Sequence, residues 1–531
     1  MHPTYPRYTS RWLRPWPIAF ACMAVVAAAL IFSNSLSQFA SGVVHGAQQS
    51  HAVVLPSFHV KPPPEAVCGN PRVLAGPASP PASAVVVPAG DDSAVNFGTP
   101  GATYWFAPGR HVLGAGEYTQ ITPGDGATFT GAPGAVIDGK HLNAYAFGGS
   151  ASHVTISFLT IEDFGSPGGN LNQGVVNHNS ASYWTIEHAT VRDNAGAGVM
   201  LGSHNTLSYD CLADNQQYGF NAYTPDSVIA DLMIDHNEIS GNDTFNWEAR
   251  QPGCGCSGGG KFWEVDGAVV TDNWVSNNGS VGLWADTDNR GFEIVGNYIS
   301  GNYSNGLIYE ISYNAYISGN TFVRNGIGAG PQSVSFPTSA LYISESGGDT
   351  RVPGKYSGEL EVTDNTFVNN WSGVILWENA NRFCNSPANT STGYCTLVNP
   401  GQIALTSCNS TNIDKKPYIG DCRWKTQNVS VDHNVFDFNE AAVGSSCSAA
   451  TGCGYQGIFS EYGTYPSWSP YQKTVVEQAI TYQQDNRFFA NVYNGPWQFM
   501  IYQQGNVVSW KTWTSAPDRQ DAGSTAGSYA G

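Results

Sequence analysis

The chain has little charge. Of 531 residues only 12% are Asp, Glu, Lys or Arg, and Met occurs 5 times. With 60 Gly and frequent Asn, this scarcity of good helix formers excludes a coiled coil or helical bundle, because helix interiors disfavour Gly and Asn. Basic residues are the rarer sign, 23 Lys+Arg against 41 Asp+Glu, for a net charge of −18. No basic stripe relieves this, so no nucleic-acid partner is expected. The paired C-x2-C spacing of zinc sites is missing, as are Gly-x-Ser-x-Gly, Walker and dinucleotide signatures. Global disorder is excluded by 41% hydrophobic and 12% aromatic residues.

The one long apolar run stands at the start. Arg7, Arg11 and Arg14 precede an uncharged stretch from Trp16 to Phe32, the pattern of an export signal or of a single anchor with its positive side inside. Ala40-Ser41-Gly42 offers a small-x-small cleavage site. Residues 1–45 are therefore expected to be a signal peptide or membrane anchor, the rest secreted or at the cell surface, and membrane contact confined to this segment. Cysteine usage agrees. Of 11 Cys, Cys22 lies in the apolar run and the other ten can pair in an oxidising compartment. Cys384/Cys395, Cys408/Cys422 and Cys447/Cys453 are local pairs, and Cys254 and Cys256 share a Gly-rich insertion. Residues 46–84, with Pro62-Pro63-Pro64, Pro77, Pro80 and Pro81, read as an extended linker.

A repeat organises the remainder of the chain. Asn-x-apolar-x-x-Asn occurs as Asn237…Asn242, Asn273…Asn278, Asn297…Asn302, Asn320…Asn325, Asn365…Asn370, Asn434…Asn439 and Asn486…Asn491, with degenerate copies ending at Asn194 and Asn215. Uninterrupted spacings of about 21–24 residues mean stacked repeats. Short alternating runs such as Val154-Thr-Ile-Ser-Phe158 and Leu360-Glu-Val-Thr363 fill each period and read as strands. Coils of this length with short strands stack about 4.8 Å apart, so equivalent Asn amides can bond along the stack. Insertions interrupt the period at about 246–266, 326–340, 380–427 and 444–480; such insertions map to loops on one face.

These residues resemble the right-handed parallel β-helix of the pectin-lyase-like superfamily. The likeness rests on the Asn pairs, on the Asn-x-x-x-Gly-apolar step in Asn278…Gly282-Leu283 and Asn302…Gly306-Leu307, and on first-coil segments such as Gly131-Ala-Pro-Gly134-Ala-Val-Ile-Asp138-Gly139. It implies an all-β solenoid over residues 85–515 of roughly ten coils, followed by a flexible tail at 516–531. The superfamily hosts lyases, hydrolases, epimerases and adhesins, so the fold does not choose among them. Polygalacturonases share this architecture, but their Asn-Thr-Asp, Gly-His-Gly and Arg-Ile-Lys motifs are absent. The triplets Asp235–Asn237 and Asp432–Asn434 place His beside a ladder Asn and read as turns.

Aligning the strands on Gly282, Gly306, Ala340 and Gly373 sends alternate residues outward. One face then carries Trp284, Asp286 and Asp288, with Glu310 in the next coil. Tyr342 and Trp377 come after, with Glu345 and Glu378 just beyond their strands. Glu248 and Arg250 are expected on the N-terminal flank. Asp286, Glu310 and Asp288 are the candidate catalytic acids, because close carboxylates raise one another's proton affinity and glycoside cleavage uses such a pair. They also offer hard oxygens that suit Ca2+. Trp284, Tyr342 and Trp377 are read as sugar platforms, with packing under a loop as the alternative; Arg250 is read as a lyase base, a substrate clamp or a partner of Glu248. The expectation is an exported, monomeric glycoside hydrolase or polysaccharide lyase acting on a glycan, with a non-catalytic glycan-binding adhesin as the rival.

Overall fold

A computed structural model describes residues 60–225, 227–255, 258–332, 337–388 and 405–527. The apolar run at 16–32, Cys256 and Cys395 lie outside the described residues. No helix among the described residues is long and apolar enough to cross a membrane.

One coil shows the plan. Arg290–Val295, Tyr298–Ser300 and Leu307–Glu310 lie in three different sheets, separated by turns. Repetition builds sheets of 13, 14 and 11 strands, more coils than the roughly ten expected. Strand pairing is parallel until Gln498–Gln503 meets Val507–Val508 antiparallel. Register does not slip: Leu283, Leu307, Leu341 and Val374 stand directly over one another. Inside, Phe322, Phe367, Phe436 and Tyr493 form a column with centroids 4.8, 4.7 and 4.9 Å apart, which is the spacing of neighbouring strands.

Two columns of Asn hold the turns. In one, Asn237, Asn273, Asn297, Asn320, Asn365, Asn434 and Asn491 each donate Nδ2 to the Oδ1 of the next at 2.9–3.2 Å. In the other the same bond links Asn194, Asn215, Asn242, Asn278, Asn302, Asn325 and Asn370. Backbone groups join in: Asn297 also accepts from the N–H of Asn273 at 3.0 Å and donates to Val270 O at 2.8 Å. The expected pair Asn486…Asn491 is out of phase, because Asn491 continues the column of Asn434 while Asn486 accepts from Val429 N. Asn439 has left the second column and caps the helix Glu440–Val443. The Gly of the Asn-x-x-x-Gly step is imposed by the column. A Cβ on Gly282 would lie 2.5 Å from Gly306 O and 2.8 Å from the Asn302 amide, and one on Gly259 would meet Gly282 O and Asn278 in the same way.

Both ends differ from expectation. The stretch read as a spacer is fastened to the coils from Val67 onward. Cys68 is disulfide-bonded to Cys211, and the N–H groups of Val67 and Cys68 donate to Glu238 at 2.9 and 2.8 Å. The segment read as a tail after 515 completes the last coil: Thr525–Ala526 pairs with Val492–Tyr493, and buried Asp521 accepts from Trp513 Nε1 at 2.6 Å. The helix Trp510–Thr514 packs the fully buried Trp513 against Phe499 and Phe488, closing the core. Cys408–Cys422 and Cys447–Cys453 pair as expected, and Cys254 is disulfide-bonded. The insertions proposed at 246–266 and 444–480 each contain a strand of the third sheet, Gly258–Trp263 and Tyr455–Ser460.

Removing a mid-column amide orphans several buried groups at once, each costing roughly 1–3 kcal/mol. Asn297→Ala is therefore expected to cost about 3 kcal/mol or more, and Asn439→Ala only about 1 kcal/mol as a lost helix cap. Denaturant unfolding of both variants measures the difference; equal losses would refute the role assigned to the column.

Candidate functional site

The third sheet carries the predicted face. Outward residues form two rows. The first runs Lys261, Trp284, Ile308, Tyr342 and Ile375; the second runs Trp263, Asp286, Glu310, Ser344, Trp377 and Phe459. The intervening residues Phe262, Ala285, Tyr309, Ile343 and Leu376 point into the main core. Asp286 and Glu310 are thus register partners in adjacent coils, as the alignment on glycines required.

Each carboxylate of the pair holds a cation. Lys261 Nζ lies 3.0 Å from Asp286, and Arg382 lies 2.5 Å from Glu310. The same Arg382 amino group also bonds Glu345, so one guanidinium serves two acids. Trp284 Nε1 donates to Glu310 at 3.1 Å, and Lys261 Nζ sits 4.2 Å from the Trp284 ring centre. Burial raises the proton affinity of Glu310; Arg382 opposes this, and the charges of Asp286 and Glu345 reinforce it. Glu378, 1% exposed, is pushed up to about 7 by burial, although Arg423, Gln484 and the N–H of Thr426 hold it.

Several predicted residues sit elsewhere. Glu248 and Arg250 are on the short helix Trp247–Arg250 rather than on a strand. Asn246, in the left-handed region, starts that helix, and the true rung strand begins twelve residues later at Gly258. Glu248 accepts from Gly253 N and Gly255 N, while Arg250 donates to Phe245 O and lies over its ring, so no pairing between the two brings them to the acids. Tyr342 and Trp377 face outward from their strands but are 3% and 1% exposed, packed with Ile308, Ile375, Tyr455 and Phe459 in a second apolar cluster. They are packing residues and not open platforms. Glu345 is 1% exposed and also accepts from Asn379 N at 2.8 Å. Trp284 and Trp263 remain half-buried, at the N-terminal end of the face. Among the described residues, the one trio with ligating atoms all within 4.8 Å is Asp235, His236 and Asp272, so the expected Ca2+ trio of Asp286, Asp288 and Glu310 does not converge.

Sequence reasoning missed Lys261, Arg382 and Arg423. Lys261 was legible in principle, since it alternates with Phe262 before Trp263. Arg382 and Arg423 come from an insertion and reach Glu310 and Glu378 across 72 and 45 residues, without a local signal.

A family model described as a right handed beta helix region matches residues 173–354. The chain is a right-handed parallel β-helix. No curated protein matches it in sequence. Among solved structures, the A-module of a mannuronan C-5 epimerase from Azotobacter vinelandii is similar over 83% of this chain and 94% of its own, at 12% identity and a TM-score of 0.42. A mannuronic-acid-specific polysaccharide lyase of family 6 from human gut microbiota is similar over 83% of this chain and 91% of its own, at 13% identity and a TM-score of 0.44. At such identity neither carries chemistry over to this β-helix.

Asp288 lies just past the strand, in a left-handed turn conformation with φ 58°, and one of its oxygens is sealed from solvent without a partner. Burial and the charges of Glu264 and Asp286 push its carboxyl up to about 8, with Arg290 in partial opposition. An acid whose folded pKa lies above its unfolded value stabilises nothing at high pH. The fold is favoured below roughly pH 4 and loses stability as pH rises toward about 8. Asp288→Asn keeps a residue that tolerates the left-handed turn and removes this loss. Its gain in thermal midpoint over the wild type should grow between roughly pH 5 and pH 8; a difference independent of pH would refute it.

Proposed function

We propose that this β-helix is exported and acts on a polysaccharide, as a glycoside hydrolase or lyase, at Asp286 and Glu310. The observation that carries the reading is the register: the two acids occupy equivalent places in neighbouring coils, both buried, with separate cations. Cleaving a glycosidic bond needs a proton donor at the leaving oxygen and a second group that accepts. Glu310, held toward its protonated form by burial, suits the donor. Asp286, bridged to Lys261, suits the acceptor. Lys261 and Arg382 can also exchange an internal carboxylate for an acidic group on the glycan. Trp263 and Trp284, half-buried at the open end of the face, give sugar rings an apolar surface with a polar edge. Export is supported by Cys68–Cys211, Cys408–Cys422 and Cys447–Cys453, which belong in an oxidising compartment.

The rival, non-catalytic glycan binding, is favoured by the cations that already neutralise both acids. Glu310→Gln leaves Arg382 paired with Glu345, and Asp286→Asn leaves Lys261 bonded to Gly255 O, so both variants should fold. Each is expected to lose about 100-fold or more in turnover on whichever member of a polysaccharide panel the wild type cleaves. Reducing-end release and the ultraviolet absorbance of unsaturated ends are the measurements. Wild-type turnover in both variants would move the chemistry elsewhere; binding without cleavage by the wild type would establish the rival.

A further inference from the structure

Behind the acid pair one guanidinium is divided. Arg382 is buried and meets both Glu310 and Glu345 with a single amino nitrogen, Nη2, while its Nε is sealed with no partner. An Arg that serves one carboxylate commonly spends two N–H groups on it as a fork. Here two acids share one corner of the guanidinium, so what Glu345 holds is withheld from Glu310.

Glu345 is fixed in this place. It is also bonded by Asn379 N at 2.8 Å and by Ser344 Oγ at 2.7 Å. Ser344 is the register partner of Glu310, so Glu345 stands one residue beyond Glu310 in the next coil. Glu310 keeps one other side-chain donor, Trp284 Nε1, on its Oε2. The titratable and charged groups around Glu310 are Asp286 from the coil before, itself bridged to Lys261, Tyr342 and Glu345 from the coil after, and Arg382 from the insertion. Glu461 lies beyond them, beside Arg382, and is bonded to Asn381. Burial and the charges of Asp286 and Glu345 favour the protonated form of Glu310, and Arg382 opposes them. Glu345 therefore acts twice, by its own charge and by the nitrogen it occupies.

We propose that Glu345 is a positioning residue of the acid pair: by occupying Arg382 it stops the guanidinium from locking Glu310 as a carboxylate, and Glu310 stays able to donate to the leaving oxygen. This rests on the reading of Glu310 as the donor. The structural alternative is that Glu345 only ties the insertion to the coils.

Glu345→Gln separates the two. The amide keeps the shape but offers one acceptor oxygen where the carboxylate offers two, so Arg382 turns to Glu310. The protonated-carboxyl infrared band that the wild type shows and Glu310→Gln lacks belongs to Glu310. In Glu345→Gln that band should titrate lower by on the order of one pH unit, with no substrate present. On the polysaccharide that the wild type cleaves, the alkaline limb of turnover, which reports the proton donor, should move down with it while KM stays nearly unchanged. Glu345→Asp is the second variant should Glu345→Gln not fold. It keeps the charge at a left-handed position, φ 48°, that Asp tolerates, and draws it back from Arg382. It should move the band the same way by less. A band that titrates as in the wild type in both variants would overturn the proposal and leave Glu345 as a tie. A band that moves while the turnover limb stays would uphold the hold of Glu345 on Glu310 and remove Glu310 from the chemistry.

Discussion

The amide of one Asn meeting the amide of the next is the contact on which the rest of this molecule depends. A primary amide offers a donor and an acceptor on opposite edges, and adjacent coils stand one strand spacing apart, so identical side chains at identical positions complete each other's bonds. The column also bonds the backbone beside it: Asn297 accepts from Asn273 N and donates to Val270 O. The column then dictates what else can stand near it. Where Gly198, Gly219, Gly259, Gly282 and Gly306 pass the amides, a methyl group would collide with the ladder or with the carbonyl of the next coil. Register is thereby set, and with it every juxtaposition across the stack.

Superposition has an electrostatic cost that the chain meets in the same way on two faces. On the second sheet, Asp138 stands beside Glu162, and Arg110 and Arg192 flank them. On the third, Asp286 stands beside Glu310, with Lys261 and Arg382 in attendance. Pairing of acids with cations is therefore a general device of this stack. What distinguishes the third sheet is burial: the side chains of Arg110 and Arg192 are 59% and 48% exposed, whereas that of Arg382 is 7% exposed. Sealed from water, the charges on the third sheet interact strongly and perturb one another's protonation, as the raised proton affinity of Glu310 indicates.

Much of this is legible in the amino-acid order. The repeating Asn, the Gly that comes after it and the alternation of apolar residues are local signals, and they place Asp286 beside Glu310 correctly. The same logic fails where the chain leaves the repeat. Gly258–Trp263 carries three consecutive glycines and little alternation, so a local reading passes over its strand and puts Glu248 and Arg250 in its place. Asn486 and Asn491 imitate a ladder pair, yet belong to successive turns, because a five-residue spacing does not by itself say which column a residue joins.

The sequence alone determined the coil, its register and the neighbours that register imposes, because a period repeated along the chain maps directly onto a stack at fixed spacing. Only the tertiary structure decided how open the face would be and which cations would stand against its acids. Trp377 and Tyr342 point outward by every rule of alternation and are nevertheless covered, and Arg382 reaches Glu310 from 72 residues away. Insertions obey no period. Where they fold back depends on packing and ion pairing between segments distant along the chain, and no local pattern records those contacts.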